Sequence, residues 1–372
     1  MNKAYNFRIY PNEEQEILIN KTFGCVRLVY NKMLSERKDI YEQYKDNKEE
    51  LKKYKNPTPA KYKKEFEFLK EVDSLALANA QMNLQTAYSN FFRDVKIGFP
   101  KFKSKHKSSK KYTTNNQNGT IRIQDDKIKV PKLGFIKVKQ HREIPKDYMI
   151  KSCTISKSPS GKYYISILVE FEKIIQPKII QQENVIGLDF DMKNLYTDNQ
   201  GIRADYPKFY RKEQEKLSKA QRILSKCKIG SNNRNKQRIK VVILHKKIAN
   251  QRKDFLHKKS RELVNKYDAI IIEDLNMKSM SQCLHFGKSV ADNGWGMFTT
   301  FLRYKLEEEG KQLIKVSKWY PSSKTCNDCG NVNKELTMAD RNWICNSCGS
   351  ILDRDYNAAK NIREEGIRIL SI

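Results

Sequence analysis

Acidic side chains are scarce in this chain of 372 residues: 43 Asp and Glu stand against 73 Lys and Arg, for a net charge of +30. Such an imbalance repels itself unless an anion compensates, which excludes charge placed for solubility alone and points to nucleic acid. An anionic membrane is the other compensator, but apolar runs long enough to span a bilayer and lipidation signals are lacking. The stretch MNKAYNFRIYPNEEQ also lacks the apolar core of a signal peptide, so a cytoplasmic protein is expected, nucleoid-associated when bound to DNA. In that reducing setting the eight cysteines do not form a disulfide framework and are left for metal binding or burial. Internal repeats and low-complexity tracts are absent as well. Core material is present, with 38% hydrophobic residues, 19 Tyr and 16 Phe, which suits several folded domains and excludes a disordered chain.

The texture changes along the chain. After a strand-like start, Asn12 reads as the cap of a helix whose Ile19, Phe23, Val26, Tyr30 and Met33 recur at core-facing spacing. A second helical pattern runs from Leu75 through Leu84 and Tyr88 to Phe91 and Phe92, and stops at Gly98 to Pro100. From Lys101 to Phe171 short alternating runs take over, with Tyr163, Ile165, Ile167, Val169 and Phe171 on one face of a strand. A linker with one proline, Lys173 to Asn184, precedes the buried-strand pattern VIGLDFD. The long helical region Lys216 to Lys253 contains a stretch from Ser225 to Lys253 with no acid at all. An amphipathic hairpin with Ile223, Leu224, Ile239, Val242 and Ile248 inside would leave that stretch as a phosphate-facing surface. Ile270 to Ile272 then form a buried strand that delivers Glu273 at its carboxyl end.

Two motifs carry chemistry. Cys326-x-x-Cys329 and Cys345-x-x-Cys348, fifteen residues apart and each followed by glycine (Gly330, Gly349), have the spacing of a closed, structural four-thiolate Zn²⁺ site. Cys25, Cys153, Cys227 and Cys283 lack partners at such spacing and read as small buried hydrophobes or bystanders. Acids form the second constellation: Asp189 and Glu273 close buried strands, and Asp353 and Asp355 precede the helical YNAAKNI. Acids at strand ends are costly to desolvate without a cation, and converging carboxylates suit Mg²⁺ or Mn²⁺, two of which about 4 Å apart can promote phosphodiester hydrolysis. Spacing alone leaves open that each acid is a helix cap or an ion-pair partner.

The set GLDFDMKNL, IIEDLNMKSMSQC, KWYPSSKTCNDCG, CNSCG and DRDYNAAKNI, with FGCVRLVYNKML and FFRDVKIGFPKFKSK near the front, resembles the TnpB family of RNA-guided nucleases, relatives of type V CRISPR effectors. The resemblance covers nearly the whole chain. It implies a multidomain α+β fold: a wedge β-barrel similar to an oligonucleotide-binding fold (residues 1–10 and 97–180), an inserted helical recognition domain (11–96), a RuvC nuclease domain of RNase H-like fold (181–321 and 351–372) and an inserted zinc ribbon (322–350). It implies catalytic, Mg²⁺-binding roles for Asp189, Glu273 and Asp355, with Asp353 the runner-up, and structural Zn²⁺ on Cys326, Cys329, Cys345 and Cys348. Asp191 departs from the small residue many members carry there. Guide RNA and a double-stranded DNA target are the implied partners, with Lys324, Arg341 and Trp343 as the candidates to touch the target strand and structural packing the expected role of Trp343. A short flanking motif would be read near Lys101, Lys103, Lys105, Lys110, Lys111, Asn115, Asn116 and Gln117, with a solvated loop as the plain alternative. Two other functions compete: a nuclease-inactive RNA-guided repressor, which would have lost one of the acids, and a zinc-ribbon DNA transposase, which would act without RNA.

Overall fold

In the computed structural model, which describes residues 1–283, 287, 292–337 and 339–371, the chain divides into two units, Met1–Lys173 and Ile174–Ile372. The side chain of Cys283 lies outside the described residues.

The first unit opens with strand β1 (Asn2–Tyr10), which stops at Pro11, and helix α1 (Glu13–Tyr44). The Asn12 side chain accepts from Gln15 N at 2.8 Å while Gln15 Oε1 accepts from Asn12 N at 3.1 Å, a reciprocal cap reinforced by three glutamates in the first turn. Short helices α2 (Lys48–Lys53) and α3 (Pro59–Glu65) lead to α4 (Ser74–Arg93), capped by Asp73. Gly98 follows with φ of +83°, a conformation that only glycine adopts freely. Strands β2 (Lys110–Asn115), β3 (Arg122–Gln124), β4 (Lys127–Val130), β5 (Gly134–Lys139), β6 (Met149–Lys157) and β7 (Tyr163–Glu170) complete an antiparallel sheet ordered β2-β6-β7-β1-β5-β4-β3. β1 therefore pairs with β5 and β7, strands that come far later in the chain. Tyr163, Ile165, Ile167 and Val169 are buried, and they share one core with Ile19, Phe23, Val26, Tyr30 and Met33 of α1 and with Leu77 and Leu84 of α4.

The second unit is built on a four-stranded sheet ordered β11-β10-β8-β9. β8 (Val185–Asp191) turns back into β9 (Leu195–Asp198), and helices α5 (Phe209–Lys226) and α6 (Asn232–Lys266) follow as a hairpin. β10 (Ala269–Glu273) lies parallel to β8, and after α7 (Met277–Cys283) and α8 (Trp295–Glu307), β11 (Gln312–Val316) lies parallel to β10. Strand alternation divides the side chains between two layers. Ile186, Leu188, Ile270 and Ile272 pack with Leu256, Leu263 and Val264 of α6 and Phe298 and Leu302 of α8. Val185, Ala269, Ile271 and Val316 face the other way, onto Ile362 of α9 (Arg354–Leu370). α9 lies so close that a Cβ at Gly187 would stand 2.4 Å from the Ala359 carbonyl oxygen, and one at Gly366 would stand 2.1 Å from Ile271 Cδ1. Strands β12 (Asn342–Ile344) and β13 (Ile351–Asp353) form a separate two-stranded ribbon.

The α5–α6 hairpin has a narrower apolar seam than its isoleucines suggest. Leu217, Val241 and Ile248 are its buried residues, with Ala220, Leu224 and Leu244 packed against them. Ile223 and Ile239 are instead 47% and 37% exposed, and Val242 is half-buried. At 100° per residue, Ile239 lies about 200° from Val241 and cannot share its stripe.

Candidate functional site

Parallel pairing sets two acids side by side. Ala269 to Ile272 pair in register with Val185 to Leu188, so the next position along brings Glu273 beside Asp189 on strands spaced about 4.8 Å apart. Alternation turns Leu188 and Ile272 into the α6–α8 core and leaves Asp189 and Glu273 on the side that α9 covers. Asp355, in the first turn of α9, arrives on that same side.

The electrostatics join the three. Burial, then the charges of Glu273 and Asp355, push the Asp189 carboxyl well above the usual carboxylate range, against the opposing pull of Arg354. Burial also raises the Glu273 carboxyl, while a hydrogen bond donated by Ser322 Oγ holds it down. Asp355, 7% exposed, accepts from Arg341 Nη1 at 2.8 Å and from Arg354 Nε and Nη2 at 3.1 and 2.8 Å. Arg341 and Arg354 thus place positive charge directly against Asp355. The donor set is all oxygen and overcrowded with negative charge, which fits a hard divalent ion.

The neighbouring aspartates have other work. Asp353 caps α9 by accepting from Tyr356 N at 2.9 Å and pairs with Arg203 at 3.0 Å. Asp191, 7% exposed, holds its own turn, accepting from Lys193 N at 2.7 Å and Asn194 Nδ2 at 2.8 Å, and its charge adds to the pressure on Asp189.

The cysteine knot closes as its spacing requires. The ligand atoms of Cys326, Cys329, Cys345 and Cys348 all lie within 4.8 Å of one another; among the described residues no set of three carboxylates closes that far. The Cys326–Cys348 and Cys329–Cys345 sulfur separations are 3.7 and 3.6 Å, close to the roughly 3.8 Å edge of a tetrahedron with 2.3 Å Zn–S bonds. In each knuckle the glycine N–H returns to the first cysteine's carbonyl at 2.8 Å, with Gly330 and Gly349 both at φ of +75°. Backbone N–H groups of Cys348 and Ser347 bring the Cys345 thiol down to about 6, while burial pushes the Cys326 thiol up to about 12. Trp343 packs with Leu336, Leu352 and the two buried cysteines, so its ring belongs to the ribbon's core.

Two residues that sequence reasoning passed over tie this knot to the acids. Asn361 Nδ2 donates to Ser322 O and Thr325 O at 2.7 and 2.6 Å, and Asn357 Nδ2 donates to Thr325 O at 2.7 Å. Asn327 in turn donates from N to Asn357 Oδ1 and from Nδ2 to Asn361 Oδ1, both at 3.0 Å. Their i,i+4 spacing on the helix that begins at Arg354 was the available signal.

The proposed base readers are scattered in role. Lys103 lies 3.7 Å above the Tyr30 ring, and burial, then Lys111, lower its pKa. Lys103, Lys105, Lys110 and Lys111 line a cavity of about 540 Å³ with Asn79 and Asn83 of α4. Asn115 accepts from Asn79 at 3.4 Å, while Lys101 and Gln117 are exposed. Asn116 instead braces a turn, donating to Ile150 O at 2.9 Å and accepting from Ile121 N at 2.8 Å. Lys324 donates to Lys334 O at 3.0 Å within the ribbon.

In fold the chain is similar to Cas12f1. The solved structure described as "Cryo-EM structure of the Cas12f1-sgRNA-target DNA complex" superimposes with a TM-score of 0.63 over 98% of each chain, at 14% identity. Family models match residues 166–284 (OrfB_IS605, "Probable transposase"), residues 295–362 ("Cas12f1-like, TNB domain") and residues 1–46 ("Helix-turn-helix domain"), the last of which covers β1 and the single long helix α1 here. A protein of Streptomyces pristinaespiralis named "Putative RNA-guided DNA endonuclease" is 34% identical over 98% of this chain and 89% of its own. InsQ of Escherichia coli (strain K12), which bears the same description, is 30% identical over 99% and 93%. The chain belongs to the TnpB family.

Proposed function

We propose that this protein is an RNA-guided DNA endonuclease whose cleavage site is formed by Asp189, Glu273 and Asp355. The observation that carries the reading is the register: two acids at adjacent positions on parallel strands, on the face where the first turn of α9 brings the third. Mg²⁺ or Mn²⁺ would be held by these three carboxylates and, when bound, would polarise a water and offset charge on the phosphodiester oxygens. Hydrolysis at such a site would join water's oxygen to phosphorus and break one P–O ester bond, with water's proton ending on the departing oxygen. The chain's own residues prepare for this: Ser322 orients Glu273, and Arg341 and Arg354 hold Asp355 in place. The four thiolates would bind structural Zn²⁺, and through Asn357 and Asn361 that knot fixes where α9 begins.

Guide RNA pairs with the target strand in this reading, while the protein reads a short flanking motif. The cavity walled by Lys103, Lys110, Lys111, Asn79 and Asn83 supports that second task, since it combines phosphate binders with amides. The antiparallel sheet of the first unit is taken as the wedge domain, its α1–α4 segment as the recognition domain, and the β8–β11 sheet with α9 as the RuvC domain. Among the described residues no helix is long and apolar enough to cross a membrane. All three acids are present, which disfavours the inactive repressor.

Purified protein with co-expressed RNA, given a plasmid that carries a matching target beside a randomised flank, should cut in a guide-dependent and Mg²⁺-dependent manner. Equal cutting without RNA would overturn the guided reading in favour of a transposase.

A further inference from the structure

The chain has three tryptophans, of which Trp295 and Trp343 are 3% and 7% exposed and Trp319 is 81% exposed. Trp319 lies on the loop that leads from β11 to Ser322, the hydrogen-bond partner of Glu273. β11 pairs with β10 so that Val316 lies opposite Glu273, and the chain leaves β11 at that same end. Six residues after Val316 it returns, where Ser322 donates to the Glu273 carboxylate. Trp319 is at the middle of this arch. The arch is an ordered turn, with Tyr320 N donating to Ser317 O at 3.0 Å and Trp319 N to Ser317 Oγ at 3.3 Å. Lys318 Nζ lies 4.8 Å from the Trp319 ring centre. A cavity of about 520 Å³ opens next to the ring, walled by residues 274–277 and 317–319. Its one carboxylate, Asp274, is paired with Lys315 at 2.7 Å.

We infer that Trp319, with Lys318 beside it, is a stacking platform for an unpaired base of the DNA strand that enters the Asp189–Glu273–Asp355 site. The inference rests on the nuclease reading above. An indole left in water forgoes the burial that most large aromatics obtain, and its apolar face is matched by the π-face every base carries. Only an unstacked base has that face free, which selects a single strand over a duplex. Lys318 supplies the positive charge for the adjoining phosphate. Glu273 and Trp319 are joined through Ser322 and three intervening backbone units, so a base held on the ring fixes the phosphate's approach to the carboxylates. Trp319 is therefore a positioning residue for the strand.

Because both other tryptophans are buried away from any strand, the difference in emission between wild type and Trp319→Phe isolates Trp319 in the protein–guide RNA complex. A thymidine oligodeoxynucleotide of about 12 nucleotides, within the span of roughly 4–16 that single-strand sites cover, is the probe. Wild-type emission is expected to be quenched on titration, and the quench to vanish in Trp319→Phe. Trp319→Ala should weaken oligonucleotide binding about tenfold (roughly 5- to 150-fold spans the range of base stacking), with Trp319→Phe much closer to wild type. The same alanine variant should raise KM for single-stranded DNA cleavage and leave kcat within about threefold. Unchanged emission together with unchanged affinity in Trp319→Ala would overturn the inference, even in a wild-type complex that cuts its guided target normally. Loss of guided cutting in the wild type would strike the nuclease reading instead, since quenching needs no catalysis.

Discussion

Gly187 lies two residues before Asp189, under α9, and its replacement by alanine tests how tightly the site is set by packing. The added Cβ would stand 2.4 Å from Ala359 O, 2.7 Å from Arg363 N and 2.8 Å from Arg363 Cβ. Ordinary contact begins near 3.4 Å, so α9 and β8 must separate by about 1 Å, and the obstacle is mostly backbone that cannot rotate aside. Overpacking of this kind costs about 1–3 kcal/mol, or roughly 2–12 °C in the melting temperature of a unit this size. The functional cost is the larger one. Asp355 rides on α9 and Asp189 on β8, so the same displacement opens the carboxylate site, and a 1 Å misplacement is worth about 100-fold in rate. Gly24→Ala in α1, where nothing lies within 4 Å of the added Cβ, is the control and should be neutral or slightly stabilising. Guided plasmid cleavage well below both melting temperatures, with differential scanning fluorimetry beside it, reads the two effects. Cleavage by Gly187→Ala within threefold of wild type would refute the reasoning.

Three other outcomes follow from the geometry. Cys345→Ser, or dialysis against a strong chelator, should release about one zinc per chain, lower the melting temperature and weaken cleavage, because the ribbon anchors α9 through Asn357 and Asn361. Lys305, 3% exposed, donates to His257 O and Ser260 Oγ, both at 2.7 Å, and burial, then Arg261, lower its pKa from 10.5 to about 8. The folded state therefore binds fewer protons than the unfolded chain between about pH 8 and 10.5, and stability attributable to this group rises with pH across that window. Melting temperatures of wild type relative to Lys305→Met should rise over the same interval; a flat difference would contradict the assignment. Ser322→Ala should slow cleavage about tenfold by freeing Glu273, with guide binding unchanged in a gel-shift assay.

The strands that carry Asp189 and Glu273 were legible in the sequence because buried parallel strands leave a strong pattern. An apolar run followed by an acid, found at Asp189 and again at Glu273, marks two buried strands. β10 does end at Glu273, but β8 runs on to Asp191 because Asp189 pairs with Thr197 of β9, and the parallel register turns Asp189 and Glu273 to one face. The cysteine spacing was legible for the same reason, since four thiolates around one ion admit few geometries. Side-chain partners were not. Trp343 fills the ribbon's small core, the packing role expected of it, whereas Trp319, in a loop without periodicity, is exposed. Asn116 resembled a base reader, yet its amide braces a turn. In the α5–α6 hairpin the excess of isoleucines hid which stripe was inside, because an unusually basic helix leaves apolar residues exposed. Asn357 and Asn361 went unnoticed since their contacts are with chain some thirty to forty residues away, visible only after folding.

The central claim is that Asp189, Glu273 and Asp355 jointly hold divalent ions that the guided cut requires. Titration of Mn²⁺ into the protein–guide RNA complex, followed by electron paramagnetic resonance, tests it most directly. Wild type should bind Mn²⁺ tightly, and Asp189→Ala, Glu273→Ala and Asp355→Ala should each lose that binding and cleavage together while keeping the RNA. Undiminished Mn²⁺ binding and full cleavage in any one of the three would contradict the account.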